Sequence, residues 1–374
     1  MKALTLHIRL THACNADCDY CSSYKKVPDD RMTVDEYARS IDMMIQKMLS
    51  LGTFPDHVSI QYLGGEILLI PVKDLEAMVQ IAREKFREKG AEVVDGVQSN
   101  LIGSERRLDH LRGLFGTRIG TSIDSYGTQR KLKGSDTEYK VFFTSSEAHL
   151  QADHARPTPA VFTIDAGTHQ NAWPEYQLAK QSRRHLTVKR VFSGGKAIDF
   201  LPASDYTKTL MPLLEDWFND PSIIVEPFHT MLKRYLQQRH GQYLGQQLGA
   251  CHFQSDCAER SLSLEPNGDL YVCQDLADKN VAKIGNALTG EWDQSLWEHL
   301  RARSSHLPES CQRCEFLPSC RGGCMVDAHE MGRTFHDKGD TCETWLNIFN
   351  YFKTRITPDN APDIARTLRR LEHH

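Results

Sequence analysis

Short runs of β-branched and apolar residues alternate with amphipathic stretches over the first two hundred residues. Each run is bounded by Gly, Asn or Asp, which is typical of strands. The stretches between the runs predict helices, for example from Thr33 to Leu51, where Thr33 and Glu36 have capping-box spacing, and from Val72 to Lys89. The predicted strands are Leu4 to Leu10, His57 to Leu63, Glu92 to Ser99, Thr117 to Ile123, Pro159 to Ile164 and Leu186 to Phe192.

Six repeats of strand then helix predict an α/β fold, in which a parallel sheet is wrapped by helices. Parallel barrels carry their chemistry on the loops at the carboxyl ends of the strands. The loop after the first predicted strand contains Cys14, Cys18 and Cys21. We therefore expect a reactive centre in this loop.

The cysteines indicate what that centre contains. A site of three thiolates that holds a 4Fe-4S cluster leaves one iron open to a small molecule, whereas a four-thiolate site is closed. The chain has 11 cysteines, so one open and two closed clusters leave no thiol over. The eight cysteines outside the first loop are Cys251, Cys257, Cys273, Cys311, Cys314, Cys320, Cys324 and Cys342.

Disulfides and zinc are the alternative explanations for the cysteines. The chain begins without a signal peptide, and an odd count leaves one thiol unpaired, which disfavours disulfides. Cys311 and Cys314 have the spacing of a zinc half-site. Zinc does not explain the first loop, where a fourth ligand is missing.

Composition narrows the function further. The 374 residues include 45 basic and 49 acidic side chains, and a net charge of -4 predicts no nucleic-acid partner. No apolar run has the length of a membrane span. Because 4Fe-4S clusters are labile to oxygen, we expect the protein to lie in a reducing cytoplasm. The ending over 371–374 is similar to the start of an expression tag.

The first loop has the form C-x3-C-x-aromatic-C, with Tyr20 at the aromatic position. With this motif the chain resembles the radical S-adenosylmethionine (SAM) enzymes, in which the motif follows the first strand of a partial barrel. The resemblance implies that Tyr20 lies beside the adenine of SAM. Gly64, Gly65 and Glu66 at the end of the second predicted strand resemble the family's Gly-Gly-Glu, which receives the methionyl amino group. Glycines let the backbone approach a ligand, and a carboxylate pairs with an ammonium.

Weaker matches follow at the ends of the third and fourth predicted strands. Ser99 and Asn100, and then Ser122 with Asp124, are similar to family positions that meet the ribose and carboxylate of SAM. Lys133, before Gly134, stands where many relatives have an Arg facing the SAM carboxylate.

The C-terminal cysteines resemble the SPASM domain, which carries auxiliary clusters. The SPASM pattern begins with a Cys, a Gly eleven positions later and a Cys five positions after that, which match Cys257, Gly268 and Cys273. It continues with C-x2-C-x5-C-x3-C, which matches Cys311 to Cys324, and a final Cys, which matches Cys342. The resemblance implies an inner 4Fe-4S cluster on Cys251, Cys257, Cys273 and Cys324. It implies an outer cluster on Cys311, Cys314, Cys320 and Cys342.

The predicted architecture is a partial (β/α)6 TIM barrel followed by a small cysteine-rich SPASM domain. The barrel is assigned to residues 1–200, a helical bridge to 201–245, the SPASM domain to 246–350 and a C-terminal helix to 351–370. A hairpin of Ser261 to Leu264 and Leu270 to Cys273 around Asn267 and Gly268 is expected to direct Cys273 inward.

The resemblance implies SAM and three 4Fe-4S clusters as cofactors, and a radical that abstracts hydrogen from an unactivated carbon. Passing a second electron to an auxiliary cluster completes a two-electron oxidation, which also needs a base. Asp275 is the first candidate for this base, with Asp165 and His169 behind it.

Relatives with a complete SPASM domain mostly modify peptides or proteins. Gln274 and Leu63 depart from the sulfatase maturases, which usually have Asp and Gln there, so we expect a maturase that forms a cross-link or thioether in a ribosomal peptide. Formylglycine formation, oxidation of a sugar or aminocyclitol alcohol, and a cluster carrier without radical chemistry remain alternatives. The expected partners are a precursor peptide or protein and a flavodoxin- or ferredoxin-type reductant. Because the cysteine loop begins at residue 14, a precursor would be recognised by the barrel mouth, the bridge or a separate leader-binding protein.

Overall fold

The computed structural model describes residues 2–24, 30–151, 156–198, 200–245 and 256–373. Its strands, in chain order, are β1 Ala3–Arg9, β2 His57–Leu63, β3 Glu92–Gln98, β4 Ile119–Ile123, β5 Ala160–Ile164, β6 Leu186–Arg190, β7 Val225–Glu226, β8 Ser261–Leu264, β9 Asp269–Tyr271, β10 Gly285–Asn286 and β11 Glu291–Trp292.

The helices begin with α1 Val34–Ser50, α2 Val72–Glu88, α3 Glu105–Phe115, α4 Asp136–Gln151, α5 Ala172–Ser182, α6 Ala203–Asn219 and α7 Phe228–His240. The C-terminal third adds α8 Cys257–Arg260, α9 Gln274–Lys279, α10 Gln294–Arg301, α11 Glu309–Gln312, α12 Leu317–Cys320, α13 Met325–Glu330, α14 Cys342–Arg355 and α15 Ala361–His373. Short 3-10 helices occupy Ile67–Leu69, His169–Asn171 and Ala302–Ser304.

The described strands form one sheet in the order β11-β10-β9-β8-β1-β2-β3-β4-β5-β6-β7. All neighbours from β1 to β7 are parallel, and the intervening helices cover the sheet. Strand β8 adds to the free edge of β1 in parallel, with Thr5 opposite Ser261 and Ile8 opposite Leu264. The predicted α/β fold, a parallel partial barrel followed by a cysteine-rich region, is confirmed.

Alternation along β1 separates the two faces of the sheet. Leu6 and Ile8 are fully buried in the core that also holds Tyr37 and Ile41 of α1. Because successive strand residues point to opposite faces, His7 is directed into the barrel interior. A second core packs α5, α6, α7, α14 and α15 around β5 and β6.

Two predicted boundaries in the C-terminal third are wrong. The strand expected over Leu270 to Cys273 ends at Tyr271, and Cys273 caps α9, so the residues after it are helical. The single helix expected over 351–370 is two helices, because α14 continues to Arg355 and α15 starts at Ala361. In the proposed tag remnant, Leu371 packs into the second core and Glu372 pairs with Lys233.

The capping box of α1 gives a stability prediction with a matched control. The Thr33 side chain accepts a bond from the Glu36 backbone, and the Glu36 carboxylate accepts one from the Thr33 backbone. Thr33→Ala is expected to lower the free energy of unfolding by about 1 kcal/mol in urea denaturation. Ser104, at the same position of α3, makes no side-chain capping bond to the described residues. Ser104→Ala is therefore expected to have the smaller effect, and equal losses would contradict the role of the box.

Candidate functional site

The three-cysteine loop leaves β1 and lies across the carboxyl ends of β2 and β4. The backbone N–H of Asp17 donates to Lys131 O at 2.8 Å, and that of Asp19 donates to Gln129 O at 2.8 Å. The pKa of Cys21 is raised to about 12 by burial and then by the charges of Cys18 and other acidic neighbours, which include Cys14. The three thiols are therefore carried on one loop, which backbone hydrogen bonds hold on two sides.

Gly64 and Gly65 allow the segment before Cys14 to sit directly on the end of β2. A Cβ at Gly65 would lie 1.9 Å from Ala13 O, which is far inside contact distance. Gly64 has φ +135°, a conformation that side chains disfavour. The Glu66 N–H donates to Ala13 O at 2.7 Å. These glycines are therefore required to seat the cysteine loop.

Glu66 is buried and is hydrogen-bonded to residues that follow β2 and β3. Its carboxylate accepts bonds from Ser99 Oγ at 2.7 Å, Asn100 N–H at 2.7 Å and Leu68 N–H at 2.9 Å. Burial raises the pKa of Glu66, and these bonds oppose the shift. Asn100 also donates to Asn15 Oδ1 at 2.8 Å, inside the cysteine loop. Three of the predicted SAM-binding residues are thus brought together beside the cysteines.

Tyr20 is buried next to a cation that the sequence did not single out. Its hydroxyl accepts a bond from Arg130 Nη1 at 3.1 Å, and Arg130 Nε donates to Tyr139 Oη at 2.8 Å. Lys133, the predicted carboxylate contact, is exposed. Burial disfavours the charge of Arg130, but Tyr139, Tyr20 and Cys18 raise its pKa. An Arg in a loop carries no sequence signal of burial, and only the packing reveals it.

The fourth strand ends in two further candidates. Ser122 accepts a bond from Gln98 Nε2 at 3.2 Å on the inner face of the barrel. Asp124 is buried, and its Oδ1 has no hydrogen-bond partner among the described residues. Burial raises the pKa of Asp124. A buried oxygen of this kind provides an acceptor for a bound hydroxyl or amine.

Cys257, Cys273 and Cys324 line one cavity between the barrel and the C-terminal domain. Its volume is about 170 Å³, compared with roughly 10–15 Å³ for one water molecule, so the space suits a multi-atom group. These are three of the four predicted inner ligands. The fourth, Cys251, lies outside the described residues.

Asp275 borders this cavity from the first turn of α9. Its Oδ1 accepts a bond from Lys189 Nζ of β6 at 2.8 Å, and its Oδ2 lies 3.9 Å from Cys273 Sγ. His7 of β1 also lines the cavity, and its Nδ1 is buried without a partner among the described residues. Burial outweighs the attraction of Asp275 and lowers the pKa of His7 to about 4. The cavity therefore reaches the inner face of the barrel at a neutral imidazole and an ion pair.

All four predicted outer ligands line a second cavity of about 220 Å³: Cys311, Cys314, Cys320 and Cys342. Burial and the charge of Cys342 raise the pKa of Cys320 to about 12. The side chains of Asp327 and Trp345 border both cavities. The two groups of cysteines interleave along the chain but line separate cavities.

Arg303 provides positive charge next to both sets of thiols. It is fully buried and donates to Gly322 O at 2.7 Å and Asp337 O at 2.8 Å. Burial lowers its pKa, although the thiolates of Cys324 and Cys257 oppose this shift. A buried guanidinium offsets part of the negative charge that thiolate ligands carry.

The three groups of cysteines share one kind of donor atom, which is sulfur. Among the residues that the structure describes, no three His, Cys, Asp or Glu side chains converge closely enough to hold one metal ion. A 4Fe-4S cluster is bound by thiolates that ligate separate irons, and sulfur is the donor in all three sites. The three thiols of the first loop suit an open site, the four around the second cavity suit a closed one, and the first cavity supplies three described thiols.

The weaker base candidates lie elsewhere. The carboxylate of Asp165 is turned back on its own loop, where it accepts bonds from the N–H groups of Gly167 and Thr168, both at 2.8 Å. His169 lies in a surface depression with Trp173 and Asp205. Neither residue lines the two cysteine cavities described above.

The sequence of residues 8–142 matches the Radical SAM superfamily. The chain contains a radical SAM domain. No curated protein matches the sequence.

Solved structures share the fold over nearly the whole chain. The chain is similar to native anSMEcpe with bound AdoMet, an anaerobic sulfatase maturase, with 19% identity and a TM-score of 0.71 over 97% of this chain and 99% of that one. It is also similar to anSMEcpe with bound AdoMet and the Cp18Cys peptide, with 17% identity and a TM-score of 0.72 over 98% and 99%. Streptococcus suis SuiB bound to precursor peptide SuiA gives 14% identity and a TM-score of 0.57 over 91% and 76%. At these identities the likeness shows the fold of the radical SAM domain and its C-terminal extension.

In the described part of the chain, no helix combines the length and apolar character that a membrane crossing requires.

The seat of the cysteine loop gives a prediction for cluster binding. Gly65→Ala is expected to displace Ala13 and remove about four irons per chain after anaerobic reconstitution. Gly113→Ala is the control, because no described atom lies within 4 Å of a Cβ at that position. Iron analysis and the absorbance of the reconstituted protein measure the difference. Equal iron in both variants would refute the requirement for Gly65.

Proposed function

We propose that the chain is a radical SAM peptide maturase that forms a cross-link or thioether in a ribosomal peptide. The observation that carries the proposal is the cavity lined by Cys257, Cys273 and Cys324, which meets the barrel interior at His7, Lys189 and Asp275. An electron acceptor placed there would face a substrate that the barrel holds. Cys251 is proposed as its fourth ligand.

When bound, SAM and the clusters would supply hydrogen abstraction from a carbon atom of the substrate and the uptake of a second electron. The protein holds these groups and the substrate in place. Ser99, Asn100, Glu66 and the backbone of Gly64 and Gly65 are proposed to bind SAM beside Tyr20. Ser122 and Lys133 complete the proposed set.

Asp275 is proposed to take up the proton that leaves the substrate. It lies on the cavity wall, and Lys189 fixes one of its oxygens and leaves the second directed towards Cys273. A general base must lie within hydrogen-bond reach of the proton that it takes up, and the cavity wall is where a substrate held in the barrel would meet Asp275.

A peptide substrate is supported by the neighbours, since anSMEcpe and SuiB are both described with bound peptides. Formylglycine formation is the second candidate, because the anSMEcpe structures match over more of both chains than SuiB does. Gln274, the first residue of α9, argues against it, because an amide does not accept a proton near neutral pH. A flavodoxin- or ferredoxin-type protein is the proposed reductant, and a separate leader-binding protein is a proposed partner.

A cluster carrier would need no SAM site, and the assembly of Glu66, Ser99 and Asn100 beside the cysteines disfavours it.

The radical assignment predicts a division between the cysteine sites. The reconstituted chain is expected to hold about twelve irons and to cleave SAM to 5'-deoxyadenosine. Cys18→Ala is expected to abolish cleavage, whereas Cys273→Ala retains cleavage and loses product. Chromatography of deoxyadenosine and iron analysis of the soluble variants measure both effects. SAM cleavage by Cys18→Ala would exclude the radical mechanism at this loop.

The substrate class is tested with two peptides under anaerobic turnover. A sulfatase-type Cys-x-Pro-x-Arg peptide is expected to remain unmodified, whereas a short peptide encoded beside this chain is expected to lose two hydrogens by mass spectrometry. Asp275→Asn is expected to reduce that product by about a hundredfold and SAM cleavage far less. Asp269→Asn is the control, because Asp269 contacts Asn286 in the hairpin of the same domain. Formylglycine formed at the rate of SAM consumption would instead establish the second candidate.

A further inference from the structure

Helix α9 connects the inner-cluster site to the three-cysteine loop. It begins directly after Cys273 and ends at Lys279, and Asp275 and Asp278 lie three residues apart on it. At 1.5 Å per residue, Cys273 and Asp278 are separated by about 7.5 Å along the helix. About one and a half turns of helix thus separate Cys273, a proposed cluster ligand, from Asp278.

Asp278 is bonded to the loop that holds the open site. Its Oδ2 accepts bonds from Ser22 Oγ and Ser23 Oγ, both at 3.0 Å, and these serines directly follow Cys21. The Asp278 side chain is 1% exposed. Charge-assisted bonds of this kind are shorter and stronger than neutral ones.

Arg9 fixes the orientation of Asp278. Its Nη2 donates to Asp278 Oδ1 at 2.6 Å, and its Nη1 donates to both oxygens of Glu265 at 2.9 and 2.7 Å. Nη2 also donates to Ser23 Oγ at 3.1 Å. Burial disfavours the Arg9 charge, but Asp278 and Glu265 outweigh it and raise the pKa of Arg9. The guanidinium at the end of β1 therefore joins three segments.

The loop after β6 packs against the segment after Cys21 and against Asp278. Lys196 N–H donates to Cys21 O at 2.9 Å. A Cβ at Gly195 would lie 2.5 Å from Cys21 O, and one at Gly194 would lie 3.1 Å from Ser22 O and 3.3 Å from Asp278 O. Cys21, Ser22 and Asp278 are thus enclosed by a backbone that leaves no room for a side chain.

We propose that Arg9, Ser22, Ser23 and Asp278 form a latch that sets the distance between the radical site and the electron acceptor. The latch residues position the two sites and do not touch the reacting atoms. Displacing reactive groups by about 1 Å costs on the order of a hundredfold in rate, so a fixed spacing is valuable. The inference rests on the proposed function for the identity of the two sites, but the latch itself is a contact that is measured without turnover.

The test uses two variants of the reconstituted enzyme. One carries both Ser22→Ala and Ser23→Ala, and the other carries Asp278→Asn alone. The double serine variant removes three hydrogen bonds of the two hydroxyls and is expected to speed hydrogen exchange of the segment that contains residues 18–24 by about tenfold. Iron content is expected to stay unchanged, and the dipolar interaction between the reduced open and inner clusters is expected to change in electron paramagnetic resonance. Product formed per SAM cleaved is expected to fall by about tenfold, while SAM cleavage continues.

Two controls match the variants in chemistry but lie away from the latch. Ser40→Ala removes a buried hydroxyl that donates to Glu36 O at 2.8 Å, and Glu147→Gln alters a buried carboxylate paired with Arg184. The double serine variant retains the Arg9 to Asp278 ion pair, so it remains informative if Asp278→Asn does not fold. Exchange and dipolar interaction equal to those of Ser40→Ala would overturn the latch. Absence of SAM cleavage in the parent enzyme would instead overturn the proposed function and leave the exchange result standing.

Discussion

The parallel pairing of β8 with β1 is the contact on which the arrangement of the sites depends. β1 ends in the cysteine loop, and β8 ends just before Glu265, so one shared register places both domains edge to edge. Backbone hydrogen bonds fix this register, and a slip of one residue would turn every side chain to the other face. Arg9 at the end of β1 and Glu265 after β8 then form an ion pair in which the guanidinium is fully buried. The pairing of the two strands therefore brings this ion pair together.

A buried guanidinium is stable only when its charge is matched, and this requirement makes the junction specific. Arg9 has two carboxylates within hydrogen-bond distance, one from the loop after β8 and one from α9. His12, which precedes Cys14 in the loop, contacts Glu265 at 2.8 Å as well. Desolvation of a charge without its partner costs several kcal/mol, so the two domains are held in one relative position.

The same junction explains why the inner cavity is continuous with the barrel. Strand β8 extends the sheet beyond β1, and the hairpin of β8 and β9 leads into Cys273 and α9. Lys189 reaches Asp275 from β6, across the barrel mouth. The outer cavity lies further away, and Asp327 and Trp345 separate it from the inner one. The distances within the site therefore follow from a short series of backbone connections.

The sequence alone determined the element types of the barrel, because strand and helix periodicities and the capping box at Thr33 are local signals. The two groups of cysteines that the family resemblance implied line two different cavities in the described part of the chain, although their role as ligands stays a prediction. Only the tertiary structure revealed that Arg130, His7 and Lys189 belong to these sites. The sequence does not show which side chains will surround an Arg, a His or a Lys. Likewise, only the tertiary structure showed that the segment after Cys273 is helical and that Asp278 within it bonds to Ser22 and Ser23. Local patterns specify what each segment forms, whereas charge compensation between distant segments specifies where those segments meet.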